Sequence, residues 1–159
     1  MSTRNNQNRE QFALRLGQVG RLWRAEVDRR LSPHGLTESR WRLLLTLSRA
    51  DRPLWQKELA ETLCVQGPTL VRTLDWLESE GLVERRAING DKRAKTVHLT
   101  AQAEPSLERI QAVVEQVRAD VFQGVEPEDL QICLTVFDRI TDNLNRLDAT
   151  KSTEREPST

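Results

Sequence analysis

The chain has little of what secreted, membrane-bound or catalytic proteins need. Its 159 residues include two cysteines, Cys64 and Cys133, too few for a disulfide framework. No apolar run reaches the roughly 18 residues that would suggest a membrane span. The opening MSTRNNQNREQ is polar and lacks the apolar centre of a secretory signal, so the cytoplasm is the expected compartment. There is no glycine loop to cradle phosphate, no HExxH pair and no nucleophile elbow. The two histidines, His34 and His98, lie far apart, and with two scattered cysteines they do not make a zinc cluster. Neither an enzyme nor a cofactor or metal is expected. Net charge is lacking too, with 24 basic residues against 24 acidic ones. Such a balance argues against coating nucleic acid everywhere, but not against a local basic face, because a phosphate responds to the field where it touches.

What is present is helical periodicity. Phe12, Leu16, Val19, Trp23, Val27 and Leu31 recur on one face of a helix over 10–31, which SPHG then stops. Thr37 would cap a helix over 38–50 carrying Trp41, Leu44, Leu45 and Leu47. Short helices follow at 55–63 and 67–80, the second with Pro68 in its first turn, an inward stripe of Leu70, Leu74 and Leu77, and Gly81 at its end. Strands are expected at 82–87 and 95–99. Helices at 101–123 and 127–148 bear heptad seams, the last through Leu130, Cys133, Phe137, Ile140, Leu144 and Leu147. The fold class is therefore mainly α with a small β-hairpin, in the order α-α-α-α-β-β-α-α. Residues 1–9 and 149–159 read as flexible ends.

Two short helices joined by a tight turn form a helix-turn-helix candidate, whose second helix would enter a major groove. Gln66, Thr69, Arg72 and Thr73 are its expected outward residues near the N-terminus, and such side chains read base edges or phosphates. The hairpin that follows is built on Asn89-Gly90, the pair that best supplies a type I′ turn. Arg85, Arg86, Lys92, Arg93 and Lys95 against Asp91 give this segment 5 − 1 = +4 on a neutral chain. A cationic ribbon can follow a phosphate backbone or place an arginine in a minor groove. Segment 37–100 thus reads as a winged helix-turn-helix for double-stranded DNA. The alternative is a winged helix that contacts protein rather than DNA. Segments 10–36 and 101–148 read as a helical dimerisation region, which would give two half-sites; alternatively the last two helices pair within one chain. Both cysteines read as small buried hydrophobes.

GPTLVRTLDWLESEGLVERR followed by GDKRAKTVHLT resembles the recognition helix and wing of the MarR family of bacterial transcription regulators, and within it the SlyA-type branch. The similarity runs through about residues 10–148, including RLWRAEVDRRL and AEPSLERIQAVVEQVRADVFQGVEPEDL. The resemblance implies a homodimer on pseudo-palindromic promoter DNA. It implies that Arg72 contacts the major groove, that Arg93 enters the minor groove with Asp91 orienting the wing, and that Gln66, Pro68 and Thr69 sit at the helix tip. Arg85, Arg86, Lys92 and Lys95 are then backbone contacts. It further implies a crevice for a small aromatic carboxylate or phenolic effector. Trp23, Arg24, His34 and Trp41 are the candidates to line it, although Trp23 and Trp41 also fit the apolar stripes of their helices. The first helix has no cysteine of the kind that some family members use to sense oxidants.

Overall fold

The computed structural model describes residues 3–88 and 91–153, with side chains for residues 6–87 and 95–147. Helix α1 (Thr3–Leu31) begins at Thr3 rather than at residue 10. The apolar stripe starts only at Phe12, but no proline or glycine stands between Thr3 and Gly17 to stop the helix earlier. A 3-10 turn over Ser32–His34 and Gly35, at φ +75, redirect the chain. Helix α2 (Glu38–Arg49) buries Trp41, Leu43, Leu44, Leu45 and Leu47. The Thr37 side chain does not cap it, and the hydroxyl lies 3.3 Å from that of Ser39.

A two-residue strand that the sequence did not announce, β1 (Leu54–Trp55), leads into α3 (Gln56–Leu63). The Trp55 N–H donates to Glu58 Oε2 at 2.8 Å and so closes the first turn of that helix. Helix α4 (Gly67–Ser79) ends where Gly81 adopts φ +71. There the Gly81 N–H donates to the Glu78 carbonyl at 3.0 Å and the Leu82 N–H to the Leu77 carbonyl at 2.9 Å. That pair of backward bonds is the left-handed helix stop that glycine makes without strain.

Strands β2 (Val83–Ile88) and β3 (Asp91–Leu99) complete an antiparallel sheet in the order β1-β3-β2. Leu54 pairs with Val97 and Trp55 with Thr96 on one side of β3. Val83 pairs with Leu99 and Arg85 with Val97 on the other, and the register shifts between Ala87 and Ile88. The Asn89-Gly90 turn lies outside the described residues. The Thr100 hydroxyl donates to the Gly81 carbonyl at 2.5 Å. It ties the end of the sheet to the stop of α4. After a 3-10 turn over Ala101–Ala103 come α5 (Glu104–Val121) and α6 (Pro127–Thr153). Helix α6 passes the expected limit of 148 because no breaker precedes Pro157. The structure is thus the expected helical fold with a wing, and the wing sheet has three strands.

The chain divides into two compact units, Met1–Ala119 and Asp120–Thr159. The first holds the core, where Leu31, Leu43, Leu44, Leu59, Leu74 and Leu77 are fully buried beside Val83, Val97 and Ile110. Those six leucines contribute roughly 9–18 kcal/mol gross, at about 1.5–3 kcal/mol each. A hydrogen bond contributes about 1 kcal/mol net, so burial rather than capping fixes how α2, α3 and α4 pack. The second unit is chiefly α6. Its described side chains are exposed except for the half-buried Leu130 and Ile140. Cys133 was expected to be buried on this seam and is exposed, since a heptad face is covered only when something packs against it.

Candidate nucleic-acid interface

The turn between α3 and α4 is made by Cys64, at φ 53 and ψ 45, the one described non-glycine residue with positive φ. The Cys64 N–H donates to the Glu61 carbonyl at 3.1 Å and the Val65 N–H to the Ala60 carbonyl at 3.0 Å. The chain reverses within three residues, and Gln66 becomes the residue on which α4 starts. Its carbonyl accepts the Thr69 and Leu70 N–H groups at 3.0 and 3.1 Å. Cys64, expected as a buried hydrophobe, is exposed at this turn.

Gln66, Pro68, Thr69 and Arg72 all lie exposed at the start of α4. Among the described residues no hydrogen bond or ion pair engages the Arg72 guanidinium. Thr73 does not face outward. It was expected outward with the others, but it is 9% exposed, and its hydroxyl donates to the Thr69 carbonyl at 3.1 Å. Position 73 falls three residues after Leu70 and four before Leu77, on the buried stripe. Its polar character hid that, because a threonine can satisfy its hydroxyl on its own helix.

Arg85 departs from expectation as well. Its side chain is 15% exposed and is occupied by α4. Nη2 pairs with Asp75 Oδ1 at 2.7 Å. Nε donates to Glu78 Oε2 at 3.0 Å, Nη2 bonds the same oxygen, and the Arg85 N–H donates to Glu78 Oε1 at 3.0 Å. The Arg85 hydrogen bonds hold the Glu78 carboxyl below the usual carboxylate range, against the opposing effect of burial, and Lys95 adds a smaller pull. Arg85 shares the face of buried Val83 two residues earlier, and strand alternation therefore carried the signal. Arg86 points the other way, is exposed and pairs with Glu84. Lys95 is half-buried on β3. The side chains of Asp91, Lys92 and Arg93 lie outside the described residues. His98 pairs across the ladder with Glu84, and its Nε2 lies 3.0 Å from the Thr96 hydroxyl.

The chemistry of this face is lopsided. The guanidinium of Arg72, unpaired among the described residues, and the polar groups of Gln66 and Thr69 occupy the half of α4 whose N–H dipoles favour phosphate. The carboxylates of Asp75 and Glu78, which would repel phosphate, occupy the other half and are matched by Arg85.

The MarR family model matches residues 36–95, from the start of α2 to the wing. A solved structure, the transcriptional regulator PA3341, is 45% identical. This chain covers 98% of it and 85% of this chain is matched, with a TM-score of 0.79. The chain belongs to the MarR family. It is accordingly a DNA-binding transcriptional regulator and not an enzyme. A MarR-family regulator from Silicibacter pomeroyi is 26% identical, over 80% of this chain and 86% of that one, with a TM-score of 0.71. A MarR regulator from Methanosarcina mazei Go1, at 19% identity, covers 86% of this chain and 98% of its own, and its TM-score of 0.74 shows the shared fold.

The remaining MarR-type candidates are scattered among packing and ion pairs. Trp41 is 5% exposed in the core, and its indole N–H has no partner among the described residues. Trp23 packs against the same core. Arg24 Nε pairs with Glu38 Oε1 at 3.0 Å. His34 Nδ1 lies 3.3 Å from Arg109 Nη1. None of the four lines either of two open clefts, one of about 770 Å³ between α3 and α4 and one of about 640 Å³ between α2 and α5. Among the described residues no group of three or more His, Cys, Asp or Glu could hold a metal ion. No helix there is long and apolar enough to cross a membrane.

Proposed function

We propose that this regulator works in the cytoplasm as a homodimer of the SlyA-type branch and reads pseudo-palindromic promoter sites. In this reading Arg72, Gln66, Pro68 and Thr69 meet the major groove. Arg93 enters the minor groove, Asp91 orients the wing, and Lys92, Arg86 and Lys95 face the phosphate backbone. The observation that carries the reading is the division of α4, with an arginine unpaired among the described residues at its phosphate-favouring end and both acids of its far half tied to Arg85. Dimer formation is supported separately in each unit. Helix α1 leaves Leu14 74% and Leu22 62% exposed, and α6 leaves Ile132 62% and Leu147 60% exposed. Apolar faces of this extent on long helices are what an interleaved partner covers. A small aromatic carboxylate or phenol is the proposed effector, near Trp23, Arg24, His34 and Trp41, where the buried Trp41 indole N–H has no partner among the described residues.

Selection of duplexes from a random pool by the purified protein tests this directly. Two similar half-sites about one helical turn apart are expected. Recovery of no enriched sequence would refute specific reading and leave the protein-contact alternative. A sedimentation profile showing monomer at micromolar concentration would refute the dimer.

A further inference from the structure

Two arginines of α2 grip the helix-turn-helix, Arg40 on α4 and Arg42 at the end of α3. Arg40 lays its guanidinium 3.4 Å from the centroid of the Trp76 ring, three residues before the end of α4. Its Nη1 donates to the Gly35 carbonyl at 2.7 Å, in the turn between α1 and α2. Arg42 works at the other end. Its Nη2 donates to the carbonyl of Leu63 at 3.0 Å, the last residue of α3 and the neighbour of the Cys64 turn that launches α4. Its Nη1 reaches Glu38 Oε1 at 3.4 Å, and the same oxygen takes Arg24 Nε of α1 at 3.0 Å. Each arginine therefore has one hand on the helix-turn-helix; the other hand of Arg40 reaches the turn that ends α1, and that of Arg42 reaches α1 through the shared Glu38.

The chemistry suits a brace. A terminal helix carbonyl lacks an internal partner and takes a cationic donor well. A planar guanidinium over an indole face resists both sliding and tilting, which a lysine would not do. Arg72 lies four residues, about 6 Å along the axis, from Trp76. Recognition by bidentate hydrogen bonds tolerates displacements of only about 0.5 Å, so a small tilt of α4 is enough to misplace Arg72.

We propose that Arg40 and Arg42 are positioning residues for sequence discrimination. They set the tilt of α4 against α1 without touching DNA. The proposal rests on α4 being the base-reading helix. The test uses a duplex that the wild-type protein has selected from a random pool, and a scrambled duplex of equal length. Arg40→Met, Arg42→Met and Trp76→Leu are each expected to weaken binding to the selected duplex about tenfold, with less than a twofold change on the scrambled one and an unaltered salt slope. Arg40→Met and Trp76→Leu together are expected to lose clearly less than the product of the two single losses, because both remove the same stack. Trp76→Phe, which keeps an aromatic face, is expected to stay within about threefold of the parent, and Arg40→Lys to fall between. These two milder changes carry the test if a methionine variant fails to fold. Equal losses on both duplexes with a shallower salt slope would make the arginines phosphate contacts and overturn the brace. A lower unfolding temperature with discrimination intact would overturn it as well. If the wild-type protein selects no duplex, the assignment of α4 falls first and takes the brace with it.

Discussion

Replacing Arg85 with methionine separates two meanings of a wing arginine. As a phosphate contact, Arg85 would supply affinity to every duplex. As a clamp, it neutralises Asp75 and Glu78 and fixes β2 against α4. Three side-chain hydrogen bonds are lost, two to Glu78 and one to Asp75. Buried charge-assisted bonds contribute about 1.5–3 kcal/mol each. Here the carboxylates are 56% and 38% exposed, and solvent screening cuts the total to about 2 kcal/mol. The unfolding midpoint should therefore fall by about 4–8 °C. The two acids are also left unmatched on α4, the proposed reading helix. At roughly 8 Å from phosphates in water, each costs about 0.5 kcal/mol before salt screening, which makes binding three- to fivefold weaker. Fluorescence anisotropy across a salt series reads this. Under the clamp, adding Asp75→Asn and Glu78→Gln to Arg85→Met restores most of the affinity, and the salt slope stays near the parent's. A slope lower by about 0.9, with no rescue by the amides, would refute the clamp and return Arg85 to the phosphate backbone.

Thr73→Val should leave operator affinity within about twofold, since the hydroxyl serves its own helix and the shape is kept; a tenfold loss would put Thr73 back at the bases. Gly81→Ala meets φ +71 and places a Cβ against Gln102 Oε1. The glutamine end can swing away, so the backbone supplies a cost of about 1–2 kcal/mol, measurable by denaturant melts. Acid should destabilise the fold in a defined window. The Arg29 hydrogen bonds, then those of Arg30, bring Glu26 from 4.5 to about 2, and Arg52, then the Trp55 N–H, do the same for Glu58. Carboxyls depressed in the folded state stabilise it fully above about 4.5 and lose that contribution as pH falls toward about 2. Melting temperatures should decline across that range, and Glu58→Gln should flatten the decline; an unchanged profile would remove the Arg52–Glu58 pair from the account.

The helices and the order of the wing were legible because apolar residues repeat with the period of the structure. Leu70, Leu74 and Leu77 could face only one way once α4 formed. The errors fell where residue type and periodicity disagreed. Thr73 is polar on a buried stripe, and Arg85 is charged on the strand face of Val83. In both cases position outweighed chemistry, because the neighbouring leucines and valines fix the backbone first and the polar atom then finds a partner. Strand β1 was invisible, since two residues carry no alternation. The Arg40–Trp76 stack and the Arg42–Leu63 bond join residues far apart in the chain, and local pattern does not encode such pairs. Cys133 sits on a regular seam, but a seam states only which face seeks cover and not what covers it.

The pairing of Leu54 with Val97 and of Trp55 with Thr96 has a consequence for how such proteins diversify. The chain enters the helix-turn-helix on one strand and leaves the wing on the adjacent one, so entry and exit share a single doorway. Residues 54–97 form a cassette. Exchanged between relatives with matched residues at Leu54 and Val97, and with Arg40 and Arg42 kept on α2, the cassette would carry its base preference with it.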